Sequence, residues 1–248
     1  MALHLQTAPA GNRRSPGHLY LVLLSAFALA ASMIFMGGAV GAVPSASAAT
    51  AVSQCNGIEN VGGEAISCTV TVTNNLNLDT GEASSTVNVV ACVGFANAAL
   101  TCTPTTTEYL DVVTAVDQCN GSGNGGGGVV ECSVIVVNNI TGTATAIAGT
   151  VNQCIDSGQG GGDEPIVVCS PLGSTTNATV TQCNGSGNGG GGTMRVRCTV
   201  TSNTTSNALL VTINQCNGSG NGGGGYVTCT SSIETIITAT PPVIIPPA

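Results

Sequence analysis

The sequence contains no tryptophan, only three tyrosines and three phenylalanines, and just 6% charged residues among its 248 positions. It also has few basic residues, with four Lys or Arg and two His. Both histidines, His4 and His18, and two of the arginines, Arg13 and Arg14, lie near the amino terminus. The rest of the chain therefore cannot use imidazole for acid–base catalysis or metal binding, nor lysine for a Schiff base.

The charge that remains is strongly acidic. Beyond residue 48 there are two arginines, no lysine, and all twelve acidic residues of the chain. A protein that binds nucleic acid needs a basic surface to neutralise phosphates. We therefore expect no nucleic-acid partner.

The amino-terminal segment has the pattern of a secretory leader. Residues 1–18 are polar and contain no acidic residue, residues 19–43 are almost entirely apolar, and Ala46-Ser47-Ala48 forms a small-x-small site. This order predicts a signal peptide over residues 1–48, with a retained membrane anchor as the alternative. We expect a secreted or cell-surface protein that contacts the membrane only through an uncleaved leader.

The twelve cysteines all follow this leader. An even number of cysteines in an exported chain indicates disulfides. A zinc site is the alternative, but the chain has no C-x2-C motif and no histidine beyond the leader. We expect disulfides and neither a metal nor another cofactor.

A repeated motif organises the chain between the leader and a Pro-rich carboxyl-terminal tail at 239–248. The sequence QCNGSGNGGGG begins at Gln118, Gln182 and Gln215, with degenerate copies at Gln54 and Gln153. A sixth, eroded copy spans 92–102, and the six copies are numbered in chain order as repeats one to six. The simplest disulfide pairing lies within each repeat: Cys55–Cys68, Cys92–Cys102, Cys119–Cys132, Cys154–Cys169, Cys183–Cys198 and Cys216–Cys229.

The residues around each motif predict strands. After the glycine run, residues such as Val130, Cys132 and Val134 alternate with polar residues, which indicates a half-buried strand with its cysteine facing inward. Before the run, Val116 and Gln118 share one face, whereas the next cysteine has the opposite parity, so we expect a bend there. The domain at 49–238 is thus predicted to be all-β, an array of six disulfide-closed hairpin repeats forming a solenoid or an extended meander.

The glycine-rich loops match no standard ligand site. A phosphate cradle needs a strand–loop–helix context and usually a lysine. The fourth loop is the most acidic, and its Asp156, Asp163 and Glu164 fit no standard calcium spacing. We expect flexible or tightly turning hairpin connections. The recurring glutamine should bond loop backbone or the glutamine of a neighbouring repeat.

Catalysis would depend on carboxylates alone. A glycosidase usually adds aromatic platforms, but Phe95, Tyr109 and Tyr226 lie in different parts of the sequence. We therefore expect no enzyme and no catalytic residue. A T-x-T-x-T face begins at Thr69 and raises the possibility of ice binding, but successive repeats do not keep it.

The unit Q-C-N-G-S-G-N-G-G-G-G-x-V-x-C resembles repeats in secreted bacterial Cys/Gly-rich surface proteins. The resemblance covers residues 54–232 and implies export and a repeat architecture, without a catalytic residue. We expect an exported structural or adhesive protein whose partners are itself or other surface components. The alternative is an extracellular binding module for glycans or ice, and the third reading is a carboxylate-dependent glycosidase.

Overall fold

The computed structural model describes residues 50–144, 146–148, 150–160, 166–171, 179–189, 195–206, 209 and 211–239. The chain divides into Met1–Ser45 and Ala46–Ala248, and all the described residues belong to the second unit. The predicted signal peptide, Asp163, Glu164 and residues 240–248 of the predicted tail lie outside the described residues. No helix in the described ranges is long and apolar enough to span a bilayer.

The described part of the chain is all-β, which confirms the predicted class. Valine, isoleucine and threonine dominate its strands, because β-branched side chains fit a pleated, half-buried surface. The strands are β1 Thr50–Gln54, β2 Glu64–Asn77, β3 Ala83–Phe95, β4 Thr101–Tyr109, β5 Val113–Gln118, β6 Val129–Thr141, β7 Ala146–Ala148, β8 Val151–Gln153, β9 Ile166–Ser170, β10 Val180–Gln182, β11 Arg195–Ser206, β12 Thr212–Gln215 and β13 Tyr226–Thr238.

These strands form a short sheet and a long sheet. The short sheet has five parallel strands in the order β1-β5-β12-β10-β8. The long sheet has eight strands, with β2, β6, β13, β11 and β9 parallel and in that order. On its other side, β3 and β4 continue the sheet antiparallel from β2, and β7 pairs antiparallel with the end of β11.

The stacking order of the repeats differs from their order in the chain. Each of five repeats contributes one strand to the short sheet and one to the long sheet, and in both sheets the order is one, three, six, five, four. Repeat six, the last in the chain, therefore lies in the middle of the stack. Repeats one and four are its two ends.

The core lies between the two sheets. The inward residues of the long sheet alternate as the sequence predicts, with Val70, Val134 and Val227 all fully buried. They face inward residues of the short sheet such as Val116 and Ile213, which are also buried. The apolar face of a parallel sheet must be covered by another element of the structure. Here the short sheet covers the apolar face of the long sheet.

Only repeat two is a hairpin. Its β3 and β4 pair antiparallel, and Cys92 lies directly opposite Cys102. In the other five repeats, the strands before and after the glycine loop lie in different sheets and pair in parallel with other repeats. The expected hairpin connection is therefore replaced by an arch, because the chain turns sharply at the first cysteine and crosses from one sheet to the other.

Candidate functional site

Two ladders of identical residues cross the interior of the stack. The second cysteines are in register across five strands of the long sheet, and the glutamines are in register across the short sheet. The first cysteine of each stacked repeat has a φ between 55° and 60°, the left-handed region. This is the bend expected at the Gln–Cys step, and it turns the cysteine toward its partner in the other sheet.

The structure contains six disulfides, and they join the pairs expected from the sequence: Cys55–Cys68, Cys92–Cys102, Cys119–Cys132, Cys154–Cys169, Cys183–Cys198 and Cys216–Cys229. Five of them connect the two sheets, and Cys92–Cys102 lies on the outer face of the long sheet. So many disulfides indicate an oxidising environment. No described cysteine is free.

Neighbouring disulfides come close to one another in the core. The sulfur atoms of Cys119, Cys132 and Cys216 lie within 4.8 Å of each other, and a second group contains Cys154, Cys169 and Cys198. A cysteine binds a metal as a thiolate. Because every one of these sulfurs is in a disulfide, these clusters are stacked cross-links rather than metal ligands.

Four of the five glutamines are buried, and amide–amide hydrogen bonds join these four in two pairs, as expected for glutamines of neighbouring repeats. Gln215 Nε2 donates to Gln118 Oε1 at 2.8 Å, and Gln182 Nε2 donates to Gln153 Oε1 at 2.7 Å. The two halves point away from each other, so the ladder is interrupted between repeats six and five. At this break Gln215 Oε1 has no hydrogen-bond partner among the described residues, whereas Ser231 Oγ donates to Gln182 Oε1.

Ser231 departs from the pattern of inward valines in the long sheet, and it was not singled out in the sequence analysis. It stands on the inner face of β13 at the register position that Val134 occupies on β6. A buried hydroxyl there supplies the hydrogen bond that Gln182 Oε1 needs. The signal in the sequence is one serine in a row of inward valines.

The glycine loops stack on one another through an asparagine ladder. The asparagine after the first cysteine accepts, through its Oδ1, a hydrogen bond from the corresponding backbone N–H of the next repeat. The donor–acceptor pairs are Asn120 N to Asn56 Oδ1, Asn217 N to Asn120 Oδ1, Asn184 N to Asn217 Oδ1 and Ile155 N to Asn184 Oδ1, at 2.7 to 2.9 Å. The loops are thus parts of an ordered stack rather than separate flexible connections.

A serine ladder also joins the loops, and here the side chain is the donor rather than the acceptor. The serine of each loop donates its hydroxyl proton to the carbonyl of the first cysteine in the preceding repeat of the stack. The pairs are Ser122 to Cys55, Ser219 to Cys119, Ser186 to Cys216 and Ser157 to Cys183. Buried backbone groups require hydrogen-bond partners. The two ladders supply such partners to carbonyls and amides of the loops from within the protein.

Each end repeat keeps only one of the two ladder residues, either the asparagine or the serine. Repeat one has Ile58 in place of the serine, because no repeat precedes it to supply a cysteine carbonyl. Repeat four keeps Ser157 but has Ile155 in place of the asparagine, because no repeat follows it. The three perfect copies of the motif are therefore the three interior repeats, and the degenerate copies are the ends.

The outer face of the long sheet carries the only described basic groups. Arg195 and Arg197 lie two residues apart on β11, both exposed, with buried Val196 between them. They border a depression of about 170 Å³ whose other lining residues are Ile166, Val168 and Tyr226. We call these five residues and Val196 the arginine patch. The Arg195 guanidinium carbon lies 5.8 Å from the centre of the Tyr226 ring, a cation–π distance.

A larger, open depression lies at the far end of the long strands. It has a volume of about 500 Å³ and is lined by Asn75, Glu82 and Asn139, among others. Asn139 Nδ2 donates to Asn75 Oδ1 at 3.0 Å, so these two amides bond to each other. The lining holds one carboxylate and no cationic group.

The acidic fourth loop can be placed only in part. Asp156 is exposed, and its Oδ1 accepts a hydrogen bond from Gln159 Nε2 at 3.3 Å. Asp163 and Glu164, the other two carboxylates considered for calcium, lie outside the described residues. The three aromatic residues are not brought together, since Phe95 ends β3, Tyr109 ends β4 and Tyr226 begins β13.

Comparison with known proteins gives a family but no characterised relative. Residues 51–236 match the model of a family described as a domain of unknown function, DUF8253. No curated protein matches the chain. No solved structure matches it either. The matched range runs from β1 into β13 and so includes all six disulfides. The chain belongs to the DUF8253 family.

Proposed function

We propose that the protein is an exported structural or adhesive component of the cell surface or extracellular matrix, without catalytic activity. The observation that carries this proposal is the stack of five repeats, each closed by its own disulfide, whose loops bond to each other through asparagine and serine ladders. Such a stack resists unfolding and proteolysis, because opening one loop breaks bonds to two neighbours.

Two further features support a surface role. The disulfides need an oxidising compartment, which agrees with the predicted signal peptide over residues 1–48. The long sheet presents a broad outer face on which threonines and serines such as Thr69 and Ser133 lie beside exposed apolar residues such as Val90 and Ile135, and this mixed surface suits contact with polymers. The partners under this proposal are other cell-surface components, and self-association remains a prediction.

Deletion of the gene in the producing organism tests the proposal. We expect the deletion strain to lose surface adhesion or matrix integrity by at least about half, measured by attachment to a polymer-coated surface. The full chain should restore the phenotype. A matched chain that lacks residues 1–48 should not restore it, since it is made but not exported. Unchanged adhesion and surface layers in the deletion strain would rule out the proposed role.

The second candidate function is a glycan-binding module. The arginine patch favours it, because a shallow depression with an aromatic ring and charged donors is a common form of sugar site. This function is compatible with adhesion, since an adhesin acts through such a site.

A further inference from the structure

The arginine patch concentrates all the positive charge that the chain carries after its leader. The chain has four basic residues, of which Arg13 and Arg14 lie near the amino terminus and the other two are Arg195 and Arg197. Alternate residues of a strand point to the same face, about 6.6 Å apart along it. The two guanidinium groups therefore project side by side from one face of β11.

These guanidinium groups have no carboxylate partner among the described residues. Neither forms an ion pair there. The nearest acidic residue in the same cross-strand row is Glu131, which is separated from Arg197 by Thr228 on β13. Two strand spacings make this separation about 10 Å. In a chain with a formal net charge of −8, two adjacent guanidinium groups without a carboxylate partner among the described residues are the feature that ligand binding would explain.

The surroundings of the two arginines are apolar and aromatic. Ile166 and Val168 on β9 are 50% and 47% exposed and form one wall of the depression. Tyr226 on β13 forms the other side. An aromatic ring and aliphatic side chains pack against the C–H face of a sugar ring, whereas planar guanidinium groups bind a carboxylate through paired hydrogen bonds.

We propose that the arginine patch binds an acidic sugar, with Arg195 and Arg197 holding its carboxylate and Tyr226, Ile166 and Val168 packing against its ring. This inference rests on the proposed adhesive function and assigns it a ligand class. The depression of about 170 Å³ is smaller than the sites of about 300–1,000 Å³ that hold drug-sized ligands, so it accommodates a single ring.

The charge of the rest of the protein restricts the ligand further. A polymer with a charge on every residue is repelled by a protein of net charge −8. An isolated carboxylate in an otherwise neutral glycan avoids this repulsion and still meets both guanidinium groups. The ligand class is therefore an otherwise neutral glycan that carries isolated uronic acid residues.

Calorimetry on the oxidised, exported domain tests the proposal. The probe is a trisaccharide of two neutral sugars and a terminal glucuronic acid, and the control ligand is its uncharged methyl ester. We expect the acid to bind at least about tenfold more tightly than the ester, and Arg195→Gln or Arg197→Gln to weaken the acid about tenfold or more. Arg197→Lys should give an intermediate affinity, because it keeps the charge but loses the paired geometry.

A matched variant changes charge in the opposite direction. Glu131→Gln removes the nearest acidic residue of the same row, and we expect it to strengthen binding of the acid about twofold at low salt and less at high salt. Equal binding of acid and ester, or unchanged affinity in Arg195→Gln and Arg197→Gln, would overturn the inference. The inference would also be overturned if the wild-type protein did not bind the acid and the two arginine variants were less thermally stable than wild type. The arginines would then form stabilising bonds within the chain instead of binding a ligand.

The strain experiment separates this inference from the proposed function. If the deletion strain loses adhesion but a strain with Arg195→Gln and Arg197→Gln adheres normally, the acidic-sugar site is wrong and the surface role stands. If the deletion strain also adheres normally, the surface role itself is wrong. Loss of adhesion in both strains, with the variant protein exported and fully disulfide-bonded, supports both.

Discussion

Glycines in the stacked loops differ in how much space surrounds them. Gly222 has φ +116°, and a Cβ there would lie 2.6 Å from Gly126 N in the neighbouring repeat. Gly218, four residues earlier in the same loop, has φ +67° and no atom within 4 Å of such a Cβ. The first glycine allows two backbones to approach, whereas the second only supplies a left-handed conformation.

Substitution by alanine should therefore separate these two roles. We expect Gly218→Ala to lower the free energy of unfolding by about 1–2 kcal/mol, the cost of a left-handed alanine. We expect Gly222→Ala to exceed that by about 2 kcal/mol or more, because the loops of repeats six and three must also move apart. Denaturant titration of the two oxidised variants measures the difference.

Equal destabilisation by the two variants would show that the loops are not in contact. The close approach of Gly222 to Gly126 would then make no contribution to the free energy of unfolding. A conserved disulfide count by mass spectrometry in both variants controls for misoxidation.

Residue-level features were predictable from the sequence to different degrees. Parity along the strands located the inward cysteines and glutamines, since a period of two is fixed by strand geometry. The end positions of repeats one and four were also present in the sequence, as Ile58 and Ile155 in place of motif residues. These two substitutions identify the ends of the stack only when the spatial order of the repeats is known. That order cannot be read from the sequence of a single repeat.

At the scale of elements, the six disulfides are of two kinds. Cys119–Cys132 connects the two sheets and its cysteines are 0% and 3% exposed, whereas Cys92–Cys102 joins adjacent strands and Cys102 is exposed. The sequence separations are similar, 13 and 10 residues. The loop-closure contributions to stability are thus nearly equal, at about 3 kcal/mol each.

Paired cysteine-to-alanine variants should reveal the difference in packing. We expect Cys92→Ala/Cys102→Ala to lower the free energy of unfolding by about 3 kcal/mol. The variant Cys119→Ala/Cys132→Ala should lose a further ~1–2 kcal/mol, because removing two buried sulfurs leaves a cavity between the sheets. Thermal unfolding followed by circular dichroism compares them directly.

A larger loss in the hairpin variant than in the core variant would contradict this assignment. It would mean that the β3–β4 hairpin, rather than the interior cross-link, controls the stability of the long sheet. Hydrogen exchange in β2, the strand that pairs with the hairpin, would show which of the two is lost first.

Strands were predictable as elements, but their pairing was not. Alternation in residues such as Val130, Cys132 and Val134 fixes a strand with one buried face. The same alternation fits a hairpin and an arch equally well, because both bury one face. The choice depends on whether the short strand finds its partner within the repeat or in another repeat, at separations such as 64 residues for Cys68 and Cys132.

At the scale of the whole molecule, repeat six holds the stack together. Its β12 lies between β5 and β10, and its β13 lies between β6 and β11. Without these two strands, each sheet divides into two separate pieces. The first cysteines of repeats one and three, Cys55 and Cys119, are 64 residues apart, and these repeats are neighbours in the stack. The first cysteines of repeats three and five, Cys119 and Cys183, are also 64 residues apart, but repeat six lies between these repeats.

Carboxyl-terminal truncation tests this arrangement. We expect a chain that ends at residue 206 to lose cooperative unfolding, because each sheet loses its central strand and a domain has a total stability of only about 5–15 kcal/mol. A chain that ends at residue 239 keeps every described strand and serves as the control. Circular dichroism and hydrogen exchange of the two chains provide the measurement.

Native-like exchange protection of β5 and β6 in the shorter chain would contradict the central position of repeat six. Those strands would then have found another partner, or would need none. Loss of protection in the control chain would instead place a stabilising role in residues 240–248.

The position of repeat six also sets the timing of assembly. A chain emerges from its amino end at about 5–20 residues per second, so residues 212–238 appear after the strands of the other five repeats. Each disulfide closes over only 10 to 15 residues and can form as soon as its own repeat is available. The two sheets, however, cannot become continuous until the final repeat inserts between repeats three and five. Covalent closure of the first five repeats can therefore precede the joining of the sheets, which delays the rigid form until repeat six has been delivered.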